Sequence, residues 1–251
     1  MAGHSRWHNI KHRKAASDKK RGKVWSKCSR AIIAAARQGG PDPESNLTLR
    51  YAIDEARYAN MPRDTIERAI KKGAGEVGGE SWDKVRYEGY GPGGVAILVD
   101  ALTDNRTRTV GDLRLAFGKH GGNLGAAGCV SYMFEAKGQI TVPGSVPEDA
   151  IMEAAINSGA EDVLAPESED GVWTVTTGPT DFFSTRTGLE RAGIKIEDAQ
   201  IAMVPTTRVE VRGENAKSVL ALIEEVEDLD DVQKVYANFE IPESEMAKLG
   251  E

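Results

Sequence analysis

Residues 139 to 203 carry the clearest alternation of strand and helix patterns in the chain and read QITVPGSVPEDAIMEAAINSGAEDVLAPESEDGVWTVTTGPTDFFSTRTGLERAGIKIEDAQIAM. Short apolar segments alternate in this stretch with longer amphipathic ones, which predicts strands and helices in the order β-α-β-β-α-β. That order is the complete chain order of a ferredoxin-like unit. The predicted strands are 139–142, 162–165, 172–176 and 194–203, and the predicted helices are 148–157 and 179–192.

On either side of this stretch lies half of a similar unit. Residues 95–134 predict a strand, a helix and a strand, and residues 208–239 predict the same order. Each half alone would leave a sheet edge exposed, so we expect the two halves to pair into one domain. The prediction is a discontinuous α+β domain, residues 80–135 plus 205–251, with a second α+β domain, residues 136–204, inserted in it.

The N-terminal region has helical periodicity instead. Asp18 begins a run with apolar residues at helical spacing, and Gly39 and the residues after it end that run. Two shorter helices are expected next, the second opened by Pro62. We predict a basic flexible arm at residues 1–16 and a three-helix domain with a Gly-rich hinge at residues 17–79. The expected fold class is α+β and multi-domain: an N-terminal three-helix domain with a basic arm, then two ferredoxin-like-type α+β domains, one inserted in the other.

Charge is distributed unevenly along the chain. The chain has 251 residues and a formal net charge of −7. Residues 1–72 nevertheless hold 17 Lys and Arg against 7 Asp and Glu, whereas the other 179 residues hold 15 against 32. A cationic end on an anionic body brings a protein to a polyanion while its bulk stays soluble. The distribution therefore indicates a nucleic-acid partner, without saying which nucleic acid.

Cations alternate with aromatic rings in the arm and continue into the first predicted helix. Lys and Arg neutralise phosphates, while Trp and His can stack on exposed bases. The alternatives are a solvated charged terminus and a tail that binds an acidic protein. The candidate nucleic-acid-binding residues are His4, Arg6, Trp7, His8, Lys11, His12, Arg13, Lys14, Lys19, Lys20, Arg21, Lys23 and Lys27.

A second candidate lies in the acidic part of the chain, where Arg106 and Arg108 stand between a predicted strand and a predicted helix. They are possible phosphate contacts at the helix N-terminus. Simple capping by Asp104 or Asn105, with solvated arginines, explains the same residues.

Two segments are rich in glycine, and in both a structural role is favoured over ligand binding. Residues 89–94 match the letters of a dinucleotide fingerprint, but they join two predicted strands, so a tight turn is expected. Residues 121–128 precede a strand predicted at 129–134. A packing or turn role is favoured there over ligand binding.

Catalysis and metal binding find little support. His4, His8 and His12 have the spacing of ligands on one helix face, but seven cations within residues 6–21 would repel a metal ion. No P-loop, nucleophile elbow or HExxH motif occurs. The acidic run at residues 228–231 is interpreted as solvated surface. We expect no enzyme activity, no metal and no cofactor.

The cysteines and the hydropathy of the chain indicate its cellular compartment. Cys28 and Cys129 lie far apart and in no motif, which fits a reducing cytosol. No apolar run is long enough to span a bilayer, and no secretory signal precedes the basic arm.

Six segments, in order along the chain, carry a resemblance to a known family. They are GHSRWHNIKHRK at 3–14, MPRDTIERAIKK at 61–72, YEGYGPGG at 87–94, DNRTRT at 104–109, GGNLG at 121–125 and DLDDVQKVYANF at 228–239. They resemble the YebC/PmpR family over essentially the whole chain. The resemblance implies one helical and two α+β domains, and a cytoplasmic protein generally described as a DNA-binding transcriptional regulator. Relatives, including a mitochondrial translational activator of cytochrome c oxidase subunit I, are instead associated with ribosomes.

We therefore expect a non-enzymatic, cytoplasmic regulator of gene expression that binds DNA through the basic N-terminal helical domain. The alternative is a ribosome-associated translation factor or translational activator whose arm binds rRNA. A third hypothesis is an enzyme with its site between the α+β domains, which would need Arg106 or Arg108 for turnover. No membrane partner is expected, and a monomer is the default.

Overall fold

Seven helices and ten strands make up the part of the chain that the structure describes. A computed structural model gives residues 18–75, 82–166, 171–242 and 245, and the fold is described for these residues. In chain order the elements are α1 (Asp18–Gly39), α2 (Leu47–Tyr58), α3 (Arg63–Gly73), β1 (Asp83–Gly91), β2 (Val95–Thr103), α4 (Arg106–Lys119), β3 (Asn123–Leu124), β4 (Phe134–Pro143), α5 (Glu148–Asn157), β5 (Asp162–Leu164), β6 (Val172–Thr177), α6 (Phe182–Arg191), β7 (Asp198–Pro205), β8 (Val209–Glu210), α7 (Gly213–Asp228), β9 (Val232–Ala237) and β10 (Phe239–Glu240).

Asn46 fixes the junction between α1 and α2. Its buried side chain accepts a hydrogen bond from the Leu49 backbone N–H at 3.1 Å, as expected of a helix N-cap. Its Nδ2 also donates to the carbonyl oxygens of Ala35 and Gly40, both at 2.8 Å. One side chain therefore satisfies the start of α2 and the end of α1, and this sets the angle between the helices.

Helix α3 lies close against α1 because Gly73 has no side chain. A Cβ there would lie 2.6 Å from the Cβ of Ala36 and 2.7 Å from the carbonyl oxygen of Ile33. The three helices enclose a small apolar core. Its buried members are Cys28, Ile32, Ile33, Ala35, Ala36, Leu49, Ala52, Ile53, Ala56, Met61, Ile66 and Ala69.

Two distant segments of the chain build the first sheet. Its strand order is β3-β1-β2-β9, with every neighbouring pair antiparallel. Strands β1 and β2 are joined by a 3-10 turn, Pro92–Gly94, in which Gly93 and Gly94 have φ of 74° and 77°. The glycine-rich segment at 89–94 is thus the predicted tight turn. Helices α4 and α7 contribute to the core under this sheet, with Phe117 and Leu222 fully buried.

Residues 134–205 form the second sheet within one continuous segment. The strand order is β5-β6-β4-β7, again antiparallel throughout. Counted from the first strand of the segment, the order is 2-3-1-4, which is that of a ferredoxin-like unit. Helices α5 and α6 contribute Ile151 and Leu189 to its core, against Trp173 and Val175. The predicted α+β class is confirmed, whereas the domain boundaries stay predictions.

The strand predicted at residues 129–134 is wrong. Residues Ser131–Met133 form a 3-10 turn, and β4 begins only at Phe134. The reason is Glu88 on β1, whose carboxylate accepts the backbone N–H groups of Gly128, Val130 and Ser131 at 2.8, 2.8 and 2.9 Å. Those N–H groups are bound to a side chain, so they cannot join a strand ladder.

Glu88 also holds the end of the glycine-rich loop, residues 121–128, against β1. Burial would raise the pKa of the Glu88 carboxyl, but its three backbone donors outweigh burial and hold the pKa below its usual range. The loop approaches β1 closely, since a Cβ on Gly89 would lie 2.7 Å from the carbonyl oxygen of Asn123. The loop therefore has the packing role that its glycines predict.

Among residues 18–75, 82–166 and 171–242, the structure contains no apolar helix of the length that a bilayer requires.

Candidate nucleic-acid interface

Most of the predicted arm residues lie outside the described part of the structure. His4, Arg6, Trp7, His8, Lys11, His12, Arg13 and Lys14 all precede residue 18. Lys19, Lys20 and Arg21 lie in the first turn of α1, and their side chains are outside the described set. Their contacts with nucleic acid stay predictions.

Lys23 and Lys27 are the two predicted site residues whose side chains the structure describes within α1. With Arg30 they follow the spacing i, i+4, i+7, so they share one face of the helix, opposite the buried Ile32. Lys23 Nζ lies 3.4 Å from the Asp228 carboxylate, and Lys27 Nζ donates to the Glu227 carbonyl oxygen at 2.6 Å. Both therefore contact the body of the protein.

The partner of this face is an acidic turn, residues 227–231, which links α7 to β9. Arg30 donates to the carbonyl oxygen of Asp230 and lies 3.6 Å from the carboxylate of Asp231. Burial lowers the pKa of Lys27 to about 8, against the opposing effect of Glu227, Asp228 and Asp230. A cleft of about 660 Å³ lies beside the contact, with Trp82 among its lining residues.

The acidic turn is only partly the solvated surface expected from its sequence, because Asp228 and Asp230 are exposed whereas Asp231 is not. Asp231 is buried, and its Oδ2 accepts hydrogen bonds from Thr109 at 2.8 Å, Arg108 at 2.7 Å and Thr103 at 3.3 Å. These bonds tie the turn to the end of β2 and the start of α4. No periodicity in this segment distinguishes Asp231 from its exposed neighbours Asp228 and Asp230.

Arg106 and Arg108 are both paired with carboxylates. Arg106 Nε lies 2.8 Å from Asp83, and Arg108 lies 2.7 Å from Asp231 and 2.6 Å from Asp104. The hydrogen bonds to Asp231 and then Asp104 raise the pKa of Arg108. Asn105, not Asp104, caps α4 by accepting the Arg108 backbone N–H at 3.1 Å. A phosphate contact by either arginine stays a prediction.

Two family models together match nearly all of the chain. One, described as the TACO1/YebC protein N-terminal domain, matches residues 5–76, and another, described as the TACO1/YebC second and third domain, matches residues 82–239. The chain belongs to the TACO1/YebC family. The resemblance stated from the sequence segments is therefore confirmed.

Relatives of this TACO1/YebC chain cover its full length. A probable transcriptional regulatory protein of Persephonella marina is 52% identical over 251 residues, 99% of this chain and 100% of its own. One of Pseudomonas putida is 53% identical over 250 residues, 100% of both chains. The crystal structure of a conserved hypothetical protein from Aquifex aeolicus has a TM-score of 0.81 at 53% identity and covers 90% of this chain and 93% of that one.

A second contact holds the helical region of this TACO1/YebC protein against the inserted unit, and the sequence did not predict it. The Tyr51 ring on α2 stacks on Phe183 of α6 with centroids 4.7 Å apart. The guanidinium carbons of Arg50 and Arg186 lie 5.4 and 5.1 Å from the centre of the Phe183 ring, within cation–π range. Arg186 also pairs with the buried Asp54. The helical region thus contacts the inserted unit as well as the acidic turn.

Metal-ligand sets are absent from the described part of this TACO1/YebC chain, where no three His, Cys, Asp or Glu side chains could hold an ion. His4, His8 and His12, whose spacing was noted but which were not expected to bind a metal, lie outside that part.

Proposed function

We propose that this protein is a non-enzymatic, cytoplasmic regulator of gene expression that binds DNA through its basic N-terminal region. The observation that carries the proposal is the segregation of charge. Residues 1–37 hold eleven Lys and Arg and a single acid, Asp18. Relatives named probable transcriptional regulatory proteins, about half identical over their full length, support the regulatory role.

Electrostatics favours the arm and the first turn of α1 as the site of phosphate contact. In the body, Arg106 and Arg108 are paired with carboxylates, and the surrounding excess of acids repels a polyanion. Helix α3 adds exposed cations to the N-terminal region, among them Arg63, Arg68 and Lys71.

Contacts of this kind bind strongly but read sequence weakly. Lys and Arg bound to phosphates fix position and supply salt-dependent affinity, whereas base edges must be contacted for sequence readout. We therefore expect affinity for duplex DNA with little base preference, and we expect selection of targets to depend on other partners.

A competition experiment tests the proposal against the ribosomal alternative. The full-length protein is bound to a fluorescein-labelled duplex and challenged with unlabelled duplex or purified ribosomes at equal phosphate concentration. If the protein is a DNA-binding regulator, unlabelled duplex displaces the labelled duplex at least as well as ribosomes do. If ribosomes displace the labelled duplex at a phosphate concentration at least about tenfold lower than unlabelled duplex does, the protein is instead a translation factor that binds rRNA. Absence of binding to either would refute both functions.

A further inference from the structure

The face of α1 that docks on the acidic turn includes Lys23 and Lys27, two of the residues predicted above to contact phosphates. Lys23, Lys27 and Arg30 each contact an oxygen within residues 227–231. The oxygens differ in kind, since Lys23 meets both the carboxylate and the carbonyl of Asp228, at 3.4 and 3.3 Å, while Lys27 meets the carbonyl of Glu227. These three cations are therefore already engaged before any nucleic acid arrives.

The acidic turn presents to α1 what a phosphate backbone would present. Glu227 and Asp228 end helix α7, so their carbonyl oxygens carry the negative end of the helix macrodipole. The carboxylates of Asp228 and Asp231 add formal negative charge beside them. A row of anionic oxygens facing Lys and Arg is the arrangement that nucleic-acid phosphates offer.

The turn is rigidly held, whereas its partner helix continues into the basic arm. Asp231 is fixed by Thr103, Arg108 and Thr109 of the body. By contrast, Lys27 is held at the expense of dehydrating its ammonium group, as its lowered pKa indicates. Opening the contact would rehydrate Lys27 and leave the Asp231 network in the body intact.

We propose that the acidic turn, residues 227–231, is an internal competitor for nucleic acid at the α1 face. This inference rests on the proposed function. Phosphates and the turn bind the same two ammonium groups, Lys23 and Lys27, so occupation by one excludes the other. In the closed form the face is masked, and the apparent affinity for nucleic acid is reduced by the fraction of molecules that are open. Binding of a polyanion releases the helical region from the α7–β9 turn.

The first test removes two charges from the turn and leaves its anchor in place. In the variant Asp228→Asn with Asp230→Asn, both changed residues are exposed and Asp231 is retained. The control, Glu148→Gln with Glu153→Gln, makes the same change in net charge at exposed positions on α5. We expect the turn variant to bind a short fluorescein-labelled duplex about 3- to 30-fold more tightly than wild type, and the control to change by less than about twofold.

The second test measures the contact itself. Spin labels are placed at Ser26→Cys on α1 and Glu224→Cys on α7, both exposed, with Cys28→Ala and Cys129→Ser removing the native thiols. Double electron–electron resonance should give a single short distance between the two labels in the free protein and a longer one with saturating duplex. The Asp228→Asn, Asp230→Asn variant should show part of the longer distance before duplex is added.

The outcomes separate this inference from the proposed function. If all proteins bind the duplex, but the turn variant matches the α5 control and the label distance stays constant at saturation, the competitor role is wrong and the function stands. If wild type and every variant fail to bind duplex or ribosomes, the proposed function is wrong and the competitor role falls with it.

Discussion

Replacing the six cations Lys11, Arg13, Lys14, Lys19, Lys20 and Arg21 by Gln is expected to weaken binding of duplex DNA by about 1000-fold or more at near-physiological salt. Each lost phosphate contact removes the release of condensed counterions that drives association. Non-specific binding depends almost wholly on that release, so little affinity should be left. Fluorescence anisotropy with a labelled duplex measures the loss directly.

A charge-matched control distinguishes a local site from the overall field. Six exposed cations of the body, Lys84, Arg114, Arg191, Lys195, Arg208 and Lys217, are changed to Gln, which alters the net charge by the same amount. We expect this control to bind within about tenfold of wild type, since its cations lie outside the N-terminal region. Equal losses in both proteins would show that net charge, rather than the arm, determines affinity.

Glu88→Gln is expected to lower the free energy of unfolding by about 2–4 kcal/mol, the largest stability effect that we predict for a single polar side chain. The buried carboxylate accepts three backbone N–H groups from residues 128–131. Gln retains one acceptor oxygen and turns an N–H₂ group toward a donor, which leaves a buried N–H without a partner. Urea unfolding measures the loss, and amide hydrogen exchange at Gly128, Val130 and Ser131 locates it.

The pH dependence of that difference follows from the direction of the pKa shift. The pKa of the Glu88 carboxyl is lower in the folded protein than in the unfolded chain. Its stabilisation is therefore complete above the ordinary carboxyl pKa of about 4.3 and is lost as pH falls through the lower folded value. The difference between wild type and Glu88→Gln should shrink under acid. The exposed control Glu224→Gln should stay within about 0.5 kcal/mol of wild type, and an equal loss in both would contradict the role given to Glu88.

Local patterns in the sequence were sufficient for most helices and strands. The apolar residues of α7 recur at helical spacing and are buried on one face, and the alternation in β6 places Trp173 and Val175 in the core. The open edges of two half units also anticipated the pairing of β9 with β2. These features were predictable because each follows from residues near one another in the chain or from the need to satisfy a sheet edge.

Contacts between residues that are far apart in the chain could not be predicted in the same way. Residues 129–134 have the composition of a strand, but a carboxylate about forty positions earlier binds their N–H groups. Likewise Lys27 and Glu227 are separated by 200 residues, and no periodicity relates them. The aromatic contact of Tyr51 with Phe183 is of the same kind. A single sequence carries the charge and size of such residues but not their distant partners.

The salt dependence of binding shows whether the basic N-terminal region binds nucleic-acid phosphates. The association constant for a labelled duplex is measured from about 50 to 200 mM salt. The full-length protein is compared with the variant in which the six N-terminal cations are replaced by Gln. We predict a slope of log K against log salt of about −5 or steeper for wild type, falling to about −1 or less in magnitude for the variant. A flat slope for wild type, or equal slopes for the two proteins, would contradict binding by that region.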